Sequence, residues 1–261
     1  MTIKEVLCAL EHCAPLPLQE SYDNAGLQLG LTEVQVSGVL LCLDVTEKVV
    51  SEAERRGCNL IVSHHPLIFR ALKRITDANQ VQRTVMMALQ KGITIASMHT
   101  NLDNAKGGVN YKMAEVLNLH DVKFLQENNI EGIACGSGVV GTLAEPMKSD
   151  AFIAMVKERF GARVALCNEL LEREVKTVAL CGGAGSFLVD DAVAAGADAF
   201  ITGEMHYHEY FGHEQEIQIC VIGHYETEQY TQQLLAELIS EHCPGVMTCI
   251  AETMTNPVVA M

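Results

Sequence analysis

Asn59-Leu60-Ile61-Val62-Ser63-His64-His65-Pro66 joins an apolar run to two adjacent histidines. Leu60-Ile61-Val62 has the length and composition of a buried strand end. Adjacent side chains on an extended chain point to opposite faces. At a strand's C-terminal mouth the backbone is leaving the sheet, and Pro66 keeps His65 extended. There both imidazoles reach one crevice, on the side where open α/β sheets bind ligands. We read the pair as half of a metal site whose other half comes from elsewhere in the chain. Taken alone the tetrapeptide also fits two loop histidines with no ligand, so the rest of the sequence has to decide.

Working outward, Val39-Leu40-Leu41-Cys42-Leu43 reads as a second buried strand and Ile93-Thr94-Ile95-Ala96 as a third. Helical spacing predicts helices from Thr46 to about Arg56, closed by Gly57, and over Val81–Lys91, closed by Gly92. Thr2 and Glu5 form a capping box before Ile3, Val6, Leu7 and Leu10, and Pro15 and Pro17 end that helix. Tyr22 to Gly30 is dense in turn formers. Met98 to Asn104 reads as a polar loop, followed by a helix with Met113, Val116 and Leu117. Gly132 to Gly141 reads as a turn and strand joining two halves. Beyond it, a helix over Ser149–Phe160 with Ser149 as N-cap and Gly161 as C-cap is expected. Strands follow at Thr177–Cys181, Phe200–Thr202 and Ile217–Ile222, with a helix at Phe187–Ala194. A long helix over Thr227–Glu241 and a last strand at Val246–Ile250 complete the chain. Strands alternating with helices imply an α/β fold with largely parallel sheets.

The second half repeats the first. Val39-Leu40-Leu41-Cys42 matches Val178-Ala179-Leu180-Cys181 at an offset of 139 (178 − 39). At the same offset Gly57 falls on Gly196, and Asn59 to Ser63 on Asp198 to Thr202, so His64-His65 falls on Gly203-Glu204. Farther on, His99-x-x-x-Asp103 matches His224-x-x-x-Glu228 at 125 (224 − 99). The expectation is two pseudo-symmetric α/β halves, residues 1–130 and 131–261, with a metal cleft between them, since clefts between domains are preferred ligand sites.

Composition narrows the function. With 49% hydrophobic and 20% charged residues the chain is globular. A net charge of −15 argues against nucleic-acid or anionic-membrane partners, which need basic surface. No apolar run reaches the ~18 residues that span a bilayer. The ten cysteines include no C-x-x-C, and Cys42, Cys181 and Cys220 sit in apolar runs as small core residues would. Glu5 and Glu11 do not suit a transit peptide and no signal peptide is apparent, so a reducing cytoplasm is expected.

The residues left for chemistry are His64, His65, His99, Asp103, Glu204, His206, His208, His224 and Glu228. Imidazole and carboxylate without thiolate suit zinc, iron, manganese or cobalt. Several such groups converging can hold two divalent ions sharing a carboxylate, the arrangement of two-metal hydrolases. His99, Glu204, His206 and His208 are candidates for moving protons, His99 and Glu204 foremost. Glu228 also suits a helix N-terminus, where the dipole stabilises it.

At these residues the chain resembles the NIF-three-like family, the GTP cyclohydrolase I type 2 homologues. The likeness rests on Tyr22 to Gly30, Ser63 to Phe69, His99 to Asp103, Ile201 to Glu204 and Gly223 to Glu228, nearly the whole chain. It implies two α/β domains, a dinuclear metal site and a ring-shaped homohexamer. It further implies His65 and Asp103 on one ion, His64 and His224 on the other, Glu228 bridging both, and a small-molecule substrate. One departure is Val139, standing where G-x-G-R-x-G-x-L of relatives commonly has Arg. If that Arg serves an anionic substrate, this chain binds it differently. The competing functions are a metal-dependent hydrolase acting on a C–N or phosphoester bond and a non-catalytic metal-binding or regulatory assembly protein.

Overall fold

The N-terminal capping box closes in both directions. Thr2 Oγ1 accepts from Glu5 N at 3.3 Å, and Glu5 Oε2 accepts from Thr2 N at 2.7 Å. Helix α1 (Ile3–Cys13) then buries Ile3, Val6, Leu7 and Leu10. The computed structural model describes residues 1–261, which form two units: Met1–Ala105 with Thr231–Pro257, and Lys106–Tyr230 with Val258–Met261.

After α1 the first unit contains β1 (Gly26–Leu29), β2 (Val39–Cys42), α2 (Glu47–Arg55), β3 (Leu60–Ser63), α3 (Gln80–Gln90), β4 (Thr94–Ser97) and the one-turn α4 (Thr100–Asp103). Strands β2, β3 and β4 are parallel and buried along their whole length. This is the composition expected of strands covered on both faces. Each fully buried Leu, Ile or Val contributes about 1.5–3 kcal/mol. Thr46 caps α2 by accepting from Val49 N at 3.3 Å, and Gly57 turns the chain out of it at φ +70°. β1 lies antiparallel on β4, so part of the turn-rich Tyr22–Gly30 stretch is an edge strand.

The second unit contains α5 (Val109–Val116), β5 (His120–Ile130), β6 (Ile133–Met147), α6 (Ser149–Phe160), β7 (Leu166–Cys167), β8 (Val175–Cys181), α7 (Val189–Ala194), β9 (Ala199–Thr202), β10 (Gln218–Val221) and the short α8 (His224–Glu228). Its sheet runs β5-β6-β8-β9-β10-β7, with β8, β9 and β10 parallel. Phe152, Val156, Phe160 and Val178 pack one face, and Leu188, Ala192, Phe200 and Ile219 the other. The chain then returns to the first unit with α9 (Thr231–His242) and β11 (Thr248–Ile250). There β11 pairs parallel to β2 and completes the order β1-β4-β3-β2-β11.

Several expectations change. Residues 130 and 131 do not separate the units. Ile130 pairs with Ile133 across a two-residue hairpin turn, with Glu131 and Gly132 both at positive φ, inside the second sheet. The Thr227–Glu241 helix is two helices. Between them Gln229 Nε2 donates to Phe160 O at 2.9 Å and Tyr230 OH to Arg159 O at 2.6 Å, tying the break to the end of α6. Ser149 is not the cap of α6; Lys148 holds that position, and the Ser149 hydroxyl donates to Leu171 O at 3.0 Å. Val139 is fully buried in the second core, opposite Leu180.

The repeat is present, with a one-residue adjustment. Val39, Leu60 and Thr94 stand side by side in one sheet, and Val178, Ala199 and Gln218 in the other. The offsets are 139 (178 − 39), 139 (199 − 60) and 124 (218 − 94). By backbone position the counterpart of His99 is therefore Gly223, and both are N-caps of their short helices. His224 sits one position later. No helix is long and apolar enough to cross a membrane.

Candidate metal centre

In the first unit two loops bring three imidazoles together. His64 and His65 leave β3 still bonded to the strand beside it: His64 N donates to Cys42 O at 3.1 Å, His65 N to Leu43 O at 3.0 Å. Their rings are 4.9 Å apart, so the two neighbours do share one side of the sheet's mouth. His99, at the mouth of β4, places its ring 5.2 Å from that of His64 and 5.4 Å from that of His65. One nitrogen from each of the three lies within 4.8 Å of the others.

Each ring is held at its other nitrogen. His64 Nδ1 donates to Met98 O at 2.8 Å, His65 Nδ1 to Asp44 Oδ1 at 2.8 Å and His99 Nδ1 to Asp23 Oδ1 at 2.7 Å. Such bonds fix ring and tautomer and leave Nε2 with its lone pair forward, as metal-ligating histidines require. The supports are themselves held. Asp44 Oδ2 accepts from the Thr255 hydroxyl at 2.8 Å, and Asp23 Oδ2 from Thr100 N at 3.1 Å and its hydroxyl at 2.5 Å. Burial pushes the Asp23 carboxyl up, but hydrogen bonds from His99, Thr100 and Asn24 outweigh it and hold the group at about 2. Asp103 Oδ1 faces Nε2 of the fully buried His64 at 3.7 Å.

The second unit carries His224 and Glu228 on one turn of α8. His224 Nε2 lies 3.0 Å from Glu228 Oε2, and its Nδ1 bonds Glu204 Oε1 at 2.9 Å. Glu204, a candidate proton carrier from the sequence, is thus the same kind of support for His224 as Asp44 is for His65. A glycine cradle makes room for these side chains. At Gly183 (φ +59°) a Cβ would fall inside contact distance of Glu228 Oε1 and 3.3 Å from His224 Cε1; at Gly203 it would lie 2.8 Å from His224 Cα. The cradle is pinned where Gly203 N and Glu204 N both donate to Gly183 O at 2.9 Å, and Gly183 N donates to Thr227 Oγ1 at 3.1 Å. His206 and His208 are exposed on the turn Tyr207–Tyr210, where His208 lies against Tyr207 and Phe211.

Asp23, Asp44 and Gly183 were not among the candidates. Asp44 carried a signal, a polar residue at the mouth of a buried strand. Asp23 stood inside a stretch that reads as a turn.

An α/β chain presenting imidazoles anchored in this way, with carboxylates beside them, has the groups to bind a metal ion, and the donors present fit one. The chain belongs to the Duf34/NIF3 (NGG1p interacting factor 3) family, whose profile matches residues 1–257. It is 32% identical over 242 residues, 92% of each chain, to a GTP cyclohydrolase 1 type 2 homolog of Clostridium perfringens. It is also 32% identical over 243 residues to a protein NIF3 homolog of Schizosaccharomyces pombe, covering 88% of this chain and 86% of that one. The crystal structure of Staphylococcus aureus hypothetical protein SA1388 superposes with a TM-score of 0.92 at 27% identity, covering 100% of this chain and 99% of the other.

Proposed function

We propose that this chain holds two divalent ions (zinc, iron, manganese or cobalt) and hydrolyses a C–N or phosphoester bond in a nucleotide-like or cyclic substrate. The observation that supports it is the shared anchoring of four imidazoles, His64, His65, His99 and His224, each bonded through Nδ1 to an oxygen acceptor. Metal-ligating histidines are characteristically held in this way through the ring nitrogen that does not face the ion. In this reading His65 and Asp103 would hold one ion, His64 and His224 the other, and Glu228 would serve both. A bound pair of this kind supplies Lewis acidity and a water acidified toward neutral pH. The chain's own share is to orient: Asp44 and Glu204 hold His65 and His224, and Asp23 holds His99, the proton carrier of this reading. The names borne by the bacterial relatives are consistent with a nucleotide substrate. The reading includes a homohexamer in the cytoplasm.

Elemental analysis after metal reconstitution, joined to a turnover screen against nucleotides, phosphodiesters and cyclic amides, tests it. Two ions per chain and metal-dependent turnover are expected. One ion or none refutes the dinuclear site. His99→Ala should keep both ions and lower turnover by ~10²-fold; loss of metal in that variant would make His99 a ligand. The second reading, a non-catalytic metal-binding or assembly protein, is favoured by one observation: the Glu204 carboxylate is engaged with His224. Full metallation with no turnover of any substrate would select it. Light scattering that reports a stable monomer at micromolar concentration would reject the hexamer.

A further inference from the structure

Two thiols far apart in the sequence meet at the start of β2. Cys58 stands between α2 and β3, and Cys249 in the middle of β11. Their Sγ atoms are 3.5 Å apart, and Cys249 Sγ also lies 3.7 Å from Val39 O. Cys58 is 3% exposed and Cys249 is half-buried. All ten cysteines of the chain are free thiols. Packing alone accounts for a buried cysteine, but not for what surrounds this pair.

The backbone on both sides of Cys249 is clamped to the segment that carries Cys58. Arg56, two residues before Cys58, donates from Nη1 to Ile250 O at 3.3 Å and pairs with Glu252. Glu52, one turn earlier on α2, accepts from Glu252 N at 2.8 Å and Thr253 N at 2.9 Å. Ahead of Cys249, Met247 O accepts from Val39 N at 2.9 Å, and β11 then runs in register along β2. Gly38 supplies the room. A Cβ there would lie 3.1 Å from Cys58 Sγ and 2.9 Å from Met247 Cε, although Gly38 is not in the left-handed region. The residue before β2 is thus a glycine for clearance, and that clearance seats the Cys58 sulfur beside the strand that carries Cys249.

We infer that Cys58 and Cys249 are a reversible disulfide site, closed by hydrogen peroxide and opened by a dithiol, that fastens β11 to the segment between α2 and β3. The inference is independent of the function proposed above. A disulfide holds its sulfurs at about 2 Å, so the pair closes by about 1.5 Å from its present contact. Burial, with the Cys249 sulfur beside it, pushes the Cys58 thiol up to about 12, so Cys58 stays protonated. The more accessible Cys249 reacts first. Its sulfur attacks one oxygen of the peroxide and becomes a sulfenic acid, and its proton leaves with the other oxygen as water. The Cys58 sulfur then attacks the sulfenic sulfur. The S–S bond forms, the S–O bond breaks, and the hydroxide leaves with the Cys58 proton as a second water. Two thiols lose two electrons, and the peroxide takes them. The link closes a loop of 191 residues (249 − 58), which restricts the unfolded chain strongly.

Peptide mapping of the full-length chain, treated with hydrogen peroxide and then with a thiol-blocking reagent, tests this. A peptide pair joined through Cys58 and Cys249 should appear, and dithiothreitol should remove it. Thermal unfolding of the same samples should show Tm raised by about 5–15 °C on oxidation and restored on reduction. Cys249→Ala, at a half-buried position, should abolish both the link and the rise. Each protein is compared with itself before and after peroxide, so a changed baseline does not enter. Cys8→Ser alters an exposed cysteine outside the pair and should keep both effects. The inference is overturned by the absence of the joined peptide, by a link from Cys58 or Cys249 to a third cysteine, by a link that leaves Tm unchanged, or by a rise in Tm that survives Cys249→Ala.

Discussion

Gly183→Ala separates the cradle of the site from ordinary glycine flexibility. Gly183 adopts φ +59°, a left-handed conformation that costs an L-residue roughly 1–2 kcal/mol. In a chain of this size that corresponds to a fall in Tm of about 2–8 °C. The added methyl would also press on Glu228 Oε1 and His224 Cε1. Glu228 must then turn away from His224 Nε2, now 3.0 Å from it. The control is Gly196→Ala in the same unit. Gly196 has φ +73° and nothing within 4 Å of where its Cβ would stand, so it carries the backbone cost alone. Thermal unfolding of the metal-free proteins should show similar losses for both variants. Elemental analysis after reconstitution should show a metal deficit for Gly183→Ala and none for Gly196→Ala. Full metal content in Gly183→Ala, or equal deficits in the two, would refute the argument that Gly183 exists to seat Glu228 and His224.

Three further outcomes are expected. If Glu228 serves both ions, Glu228→Gln should lose more metal than Asp103→Asn, and equal single-ion losses would limit it to one. Asp23→Asn sets an amide NH2 against donors on His99 and Thr100 and should cost about 1–3 kcal/mol in urea unfolding; a difference within error would show that the bonds around Asp23 do not stabilise the fold. Burial raises the Glu52 carboxyl, but bonds from the Thr253 hydroxyl and the Glu252 and Thr253 amides, with Arg56 beside it, outweigh that and hold it below 4.5. A depressed folded-state value stabilises the protein above the unfolded value and is lost as pH falls through the folded one. Stability of wild type over Glu52→Gln should therefore shrink from pH 6 to pH 3, and a constant gap would contradict the assignment.

Local signals carried most of the fold. The capping box at Thr2 and Glu5, the three apolar runs feeding β2, β3 and β4, and the glycines after α2 and α6 each act within a turn or a strand, so sequence spacing reports them. Pairings across long separations did not show. Asp44 and Asp23 meet His65 and His99 only once β2, β3 and β4 lie side by side. The break between α8 and α9 has no Gly or Pro; it comes from Gln229 and Tyr230 bonding the end of α6. Aligning His99 with His224 by residue type hid the extra residue Gly223, since matching chemistry is not matching backbone. The candidate ligands were legible because polar residues at strand mouths are conspicuous after apolar runs. Their supports were not, because a lone Asp in a loop has many ordinary uses.

The order in which the chain visits its two units has a consequence for synthesis. Residues 106–230 are continuous and can fold as soon as they emerge from the ribosome. The first unit begins earlier but completes its sheet later, because α9 and β11 come after every helix and strand of the second. Until β11 arrives, β2 presents a bare edge of buried-type residues, Val39 to Cys42, open to pairing with other chains. A chain ended just after Tyr230 would therefore carry every strand of the second sheet and a sticky, incomplete first one, making the last thirty or so residues (231–261) the point at which the protein becomes safe from aggregation.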